Sequence, residues 1–126
     1  MKLSTFLLVK AIICFLFGIG YAVVPITVGS IYAINLDPDG LIMARFFAAL
    51  LIGIGLILWL LRNADWNVLK VITLSLCIAD TIGFIVALVG QLAGNMNAFG
   101  WIIVVIWLLL ALGLAYFSFL KPGTSH

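Results

Sequence analysis

Three ionisable side chains stand inside otherwise apolar stretches of this sequence: Lys10, Arg45 and Asp80. A charge surrounded by hydrocarbon is costly, so each position asks for a chemical reason. Asp80 falls twelve residues into an apolar run, roughly 18 Å along a helix from its start. A carboxylate at that depth can carry a proton or a cation, or it can hold neighbouring helices together by hydrogen bonding. Arg45 lies about one turn into its run. It is expected to snorkel to lipid phosphate or to pair with Asp37 or Asp39, and a sharper reading is recognition of an anionic or quinone-like headgroup. Lys10, about two turns into the first run, is expected to snorkel toward the nearer surface. A Lys10–Asp80 bridge would neutralise both charges. Their depths differ by roughly 8 Å on helical rise, so direct contact needs helix tilt or a bridging water.

Other chemistry is sparse. The sequence has no glutamate, and its one histidine, His126, is the last residue, which leaves no histidine-based triad and few metal sites. Cys14 and Cys77 lie in apolar runs and read as small buried hydrophobes rather than a redox pair. The Gly-Ile-Gly triplets lie within apolar runs, with no strand before them, and are not nucleotide loops. No cofactor is expected. Six basic residues spread along the chain, with a net charge of +2, form no patch for nucleic acid.

These groups need elements to hold them, and composition names the solvent. Of 126 residues, 67% are hydrophobic and 8% charged. A soluble domain carries about 25% charged residues, so this chain cannot cover a water-facing surface, and lipid is its expected surrounding. A membrane-spanning helix needs about 20 apolar residues. Four runs qualify, over about 4–28, 41–61, 68–90 and 99–120. They predict an all-α, four-helix transmembrane bundle forming one integral membrane domain over 1–126. Although Met1-Lys2 suits a signal peptide, Lys10 interrupts the apolar region and no small-residue cleavage site follows, so the first run is expected to be a mature helix.

The joints are also legible. Asp37-Pro38 predicts an N-cap followed by proline at the first helical position. Asp65 or Asn67 is available to cap the third helix. Gln91, Asn95 and Asn97 are expected only to solvate the outer loop. Lys121-Pro122-Gly123 is expected to stop the last helix. Lys2, Lys10, Arg62, Lys70 and Lys121 flank one side and Arg45 the other, which predicts that both termini are cytoplasmic. Trp59, Trp66, Trp101 and Tyr116 fall near helix ends as interfacial anchors.

Small residues predict where helices approach. Ala79, Gly83, Ala87 and Gly90 recur at helical spacing around Asp80, which places that carboxylate in a helix–helix interface. Gly18, Gly20, Gly53, Gly55 and Gly113 are expected to bend helices or to let them pack tightly. Phe17-Gly18-Ile19-Gly20 also echoes Ile52-Gly53-Ile54-Gly55, a faint hint of duplication.

The runs Leu36-Asp37-Pro38, Met43-Ala44-Arg45-Phe46-Phe47 and Gly53-Ile54-Gly55-Leu56, with the later Gly94-Asn95-Met96-Asn97-Ala98-Phe99-Gly100-Trp101, resemble small bacterial four-helix membrane proteins that are loosely DoxX-like. The resemblance implies a four-helix bundle in a bacterial inner membrane, with Arg45, Gly53 and Gly55 at the matching positions. Some proteins of that group are subunits of quinone-linked oxidoreductases, but here no second cluster of polar or redox residues accompanies Arg45.

The functional expectation is a non-enzymatic accessory or scaffold subunit, or a small homo-oligomer, whose partners are the lipid bilayer and other membrane subunits. A proton- or cation-coupled transporter working through Asp80 is the alternative. The small multidrug exporters that would be its precedent use a glutamate in their first helix, which this chain lacks. A quinone-linked redox subunit with Arg45 at a headgroup site is the third reading.

Overall fold

The computed structural model describes residues 1–120, and these are all-helical, with no strand among them. Five α-helices follow in order: α1 (Leu3–Val23), α2 (Pro25–Ile31), α3 (Pro38–Leu61), α4 (Trp66–Leu92) and α5 (Gly100–Ala115). A π-helical turn, Tyr116–Leu120, extends α5. Four of these segments are long and apolar enough to cross a membrane: α1, α3, α4 and α5 with its π turn. Large apolar side chains cover the outside, among them Leu16, Leu50, Ile82, Val86 and Leu109.

The first expected span, 4–28, is corrected to two helices. Pro25 lacks an N–H and disfavours helical geometry at the residue before it. Val24 accordingly leaves the α region at φ −131° and ψ 57°, and Pro25 opens α2 as its first residue. The short helix folds back so closely that a Cβ on Gly20 would lie 3.1 Å from Val28. The cap on α3 is as expected: the Asp37 carboxylate accepts from the Gly40 N–H at 2.6 Å, ahead of Pro38. Helix α4 starts at Trp66, with Asp65 at its N-cap position, but no side-chain cap bond forms there. The expected stop at Lys121-Pro122-Gly123 lies outside the described residues.

Helix α1 packs along α3, and α4 along α5. In the first hairpin, Gly18 lies beneath Ile52 and Gly55 beneath Phe15, and the Tyr21 and Phe47 rings meet at 5.8 Å. These contacts share one antiparallel register. In the second hairpin Gly83 sits under the Trp107 ring, and the Cys77 thiol points at the Ala111 carbonyl at 3.7 Å. The hairpins join in a core of Leu3, Leu7 and Ala11 from α1, Leu58 from α3, Leu69 and Cys77 from α4, and Leu114 and Phe117. Phe6 lies over Gly113 beside this core.

Asn97 ties the opposite end together, which corrects the expectation that it only solvates its loop. Its amide donates to the Ile31 carbonyl at 2.9 Å and its backbone N–H to the Tyr32 carbonyl at 2.9 Å. Its side-chain oxygen accepts from the Phe99 N–H at 3.0 Å, while Gln91 donates to its carbonyl at 3.1 Å. Asn95 also takes part in helix capping, donating its N–H to the Gly90 carbonyl at 3.0 Å.

Candidate functional site: a buried Lys10–Asp80 pair beside an apolar cavity

The buried stripe of α1 runs Leu3, Leu7, Lys10, Ala11, Cys14, Gly18, at the three- and four-residue steps of one helix face. Lys10 therefore points inward with the core rather than along the surface, and only 4% of it is exposed. On α4 the buried stripe is Leu69, Thr73, Cys77, Asp80 and Ala87. Asp80 is 2% exposed. The two stripes bring the charges together: Lys10 Nζ donates to Asp80 Oδ1 at 3.0 Å and Oδ2 at 2.8 Å.

This contact corrects the expectation that Lys10 snorkels. Lys10 is seven residues past the start of α1 and Asp80 fourteen past the start of α4, a mismatch of about 10 Å if the helix ends were level. Direct bonding spans that offset through axial stagger or tilt between α1 and α4, through the reach of the flexible four-carbon stem of lysine, or through both. No bridging water is needed for contact at these distances.

Of the three donors an ammonium carries, Asp80 takes two. Lys10 also lines an apolar cavity of about 80 Å³. The cavity lies between the α1–α3 hairpin and α5, with Ile13, Phe17, Leu51, Ile106 and Trp107 among its walls. Cys14, a free thiol one turn beyond Lys10, lines it as well.

The other singled-out positions divide. Gly18, Gly55, Gly83 and Ala87 lie at close or buried helix contacts, and Gly20 lies against α2 rather than α3. Ala79 is exposed, on the outward face of α4, so the buried stripe around Asp80 does not pass through it. A Cβ on Gly53 would meet nothing within 4 Å, and one on Gly90 only Met96 at 3.9 Å. Arg45 is exposed, and among the described residues no hydrogen bond or ion pair joins it to Asp37 or Asp39. Ala44 and Ala48, on either side of it in α3, are buried, while Arg45 is exposed.

Sequence reasoning passed over Thr73 and Trp107. Thr73 sits seven residues before Asp80, on the same helix face, which also carries Cys77, buried as its reading as a small hydrophobe expects. Thr73 is fully buried and its Oγ1 has no hydrogen-bond partner among the described residues. Trp107, which fills the gap over Gly83 and walls the cavity, carried no such signal, because α5 is apolar all round.

Among the described residues, no three His, Cys, Asp or Glu side chains gather as a metal site would require. Comparison with known proteins adds no relative: no family model matches the chain, and neither a curated protein nor a solved structure is significantly similar to it, so the DoxX-like resemblance has no family match behind it.

Proposed function

We propose that this chain is a small multi-pass protein of a bacterial inner membrane, with both termini cytoplasmic. In this reading its four long helices form a bundle that acts without catalysis, as an accessory or scaffold subunit or a small homo-oligomer. The observation that carries this reading is the Lys10–Asp80 pair. It joins α1 of one hairpin to α4 of the other, so the two deepest charges of the chain are used to hold its halves in register. Buried polar pairs in membranes act as interhelical glue that also selects one arrangement over its neighbours. With its loops this short and its outer surface this apolar, the chain offers the bilayer plane as its place of work.

The test is purification from the membrane into nanodiscs, with native mass and cross-linked components read together. A discrete assembly, of other subunits or of a few copies, supports the reading. A dispersed monomer with no cross-linked partner and no defect on deletion overturns it.

The proton- or cation-coupled carrier remains a second reading because Asp80 is buried within a spanning helix, where a carrier's carboxylate would sit. A proton or cation would then have to displace Lys10 from Asp80 in each cycle. Asp80→Asn separates the two. Lost transport with an intact fold favours the carrier, whereas unchanged transport with lowered stability favours the clasp.

A further inference from the structure

We infer that the groove between the start of α4 and the π-helical turn that extends α5 is a binding site for an anionic phospholipid. The inference rests on the reading of the chain as a bilayer protein. The groove measures about 340 Å³, within the roughly 300–1,000 Å³ of small-molecule clefts. Trp66, Lys70, Val71 and Leu74 of α4 line one side of it, and Ser118 and Phe119 the other. Residues 66, 70 and 74 recur at four-residue steps and share one face of α4. Polarity falls along that face. Trp66 stands at the helix start, Lys70 about 6 Å further in and Leu74 about 12 Å in. A phospholipid has the same order, from headgroup to acyl chain.

The lining selects the chemistry. Each of its three polar side chains has a proton to donate: an indole N–H, an ammonium and a hydroxyl. Lys70 is exposed and makes no ion pair, and the Trp66 indole makes no hydrogen bond, among the described residues. Ser118 Oγ is buried without a partner, so no bond holds its rotamer and turning it toward an acceptor forfeits none. No carboxylate lines the groove. Asp65, exposed ahead of Trp66, lies outside the lining, and Arg62 donates to the Trp59 carbonyl. A phosphate supplies both the acceptors and the negative charge that Lys70 lacks. A choline or ethanolamine head would add a cation that meets no anion here, so a glycerol head fits better. Val71, Leu74 and Phe119, exposed and apolar, then lie against the acyl chains, which a water-soluble phosphate would leave uncovered.

The experiment uses phosphatidylglycerol and phosphatidylcholine, each carrying a photoactivatable diazirine high on one acyl chain. The whole chain is reconstituted in nanodiscs with either probe at equal mole fraction, irradiated, and its labelled residues are mapped by mass spectrometry. Val71, Leu74 and Phe119 should be labelled about fivefold more by the phosphatidylglycerol probe, the factor expected for one cation facing an anionic headgroup. Ile102 and Val105, exposed at the opposite end of α5, should be labelled alike by both. Lys70→Gln should bring the two probes level at the groove. Ser118→Ala should lower the preference without lowering the unfolding temperature, because Oγ makes no bond within the fold. Leu74→Trp, which fills the groove, should reduce labelling of Val71 and Phe119 by both probes. Equal labelling in the unsubstituted chain, or a preference that survives Lys70→Gln, overturns the site. Silence of all three groove residues toward both probes means that protein fills the groove, and overturns it as well. A chain that does not enter nanodiscs overturns the bilayer reading and the site with it, whereas one that enters them and shows no preference overturns the site alone.

Discussion

Lys10 Nζ bonds both carboxylate oxygens of Asp80, 70 residues away in the chain, at 3.0 and 2.8 Å. The pair is almost wholly buried, so each charge depends on the other for compensation. Removing one partner of such a pair costs about 3–5 kcal/mol, whereas replacing both with apolar groups of similar size is often neutral or stabilising. Lys10→Met alone should therefore lower unfolding stability in detergent strongly, and Lys10→Met/Asp80→Leu should recover most of the loss. A double variant as unstable as the single one would show that the pair does not act as a coupled unit.

Glycines in this fold are not equivalent, and substitution should separate them. A Cβ on Gly83 would overlap the Trp107 ring, while one on Gly53 would project into open space. Gly83→Ala should destabilise by about 1–3 kcal/mol through overpacking, and Trp107→Leu in the same chain should relieve part of that loss. Gly53→Ala should be neutral or slightly stabilising, since alanine is the better helix former. Thermal unfolding of the three variants side by side decides the matter, and equal losses at the two glycines would contradict the assigned contacts.

Two helices end in the same way but with different residues. Ile34 N–H reaches the Gly29 carbonyl at 2.9 Å past Ala33, and Asn95 N–H reaches the Gly90 carbonyl at 3.0 Å past Gly94. Both turns need a left-handed residue, at φ 63° for Ala33 and 81° for Gly94. Glycine adopts this region without the strain of a Cβ. Ala33→Gly should raise stability by a few tenths to about 1 kcal/mol, and Gly94→Ala should lower it by about 1 kcal/mol. Opposite signs in a paired melting experiment are the expected readout.

The Asn97 side chain ties its own loop to the end of α2, donating to the Ile31 carbonyl and accepting from the Phe99 N–H. Asn97→Ala removes both bonds and should cost about 1–2 kcal/mol. Hydrogen exchange at Phe99 and along the 93–99 loop should rise, with the core around Leu7 and Leu69 unchanged. Exchange that rises equally throughout would mean that Asn97 supports the whole fold rather than this end of it.

The four long apolar helices were legible from the residues alone, because their lengths and compositions are set by local physics. Twenty or so apolar residues in a row have few other outcomes, and Asp37-Pro38 announces the start of α3 through its own cap. The inward face of Asp80 was also within reach, since it follows from helical periodicity, although Ala79 was wrongly included in the buried stripe. Pro25 interrupts the first run, but hydropathy continues across it, so composition alone extends that span over 4–28.

Tertiary structure decided which charges meet and which glycines matter. Helical rise measures depth only from the helix's own end, and no local rule sets the level of α1 against α4. The Lys10–Asp80 contact depends on that relative level, as the cavity beside it depends on how far α5 stands from α1 and α3. In the same way Gly55 and Gly53 are two residues apart in one apolar run, and only the neighbouring helix distinguishes them, placing Phe15 over one and nothing over the other. Residue types dictate what must avoid water or find a partner, and the packing of one helix on another dictates which partner it finds.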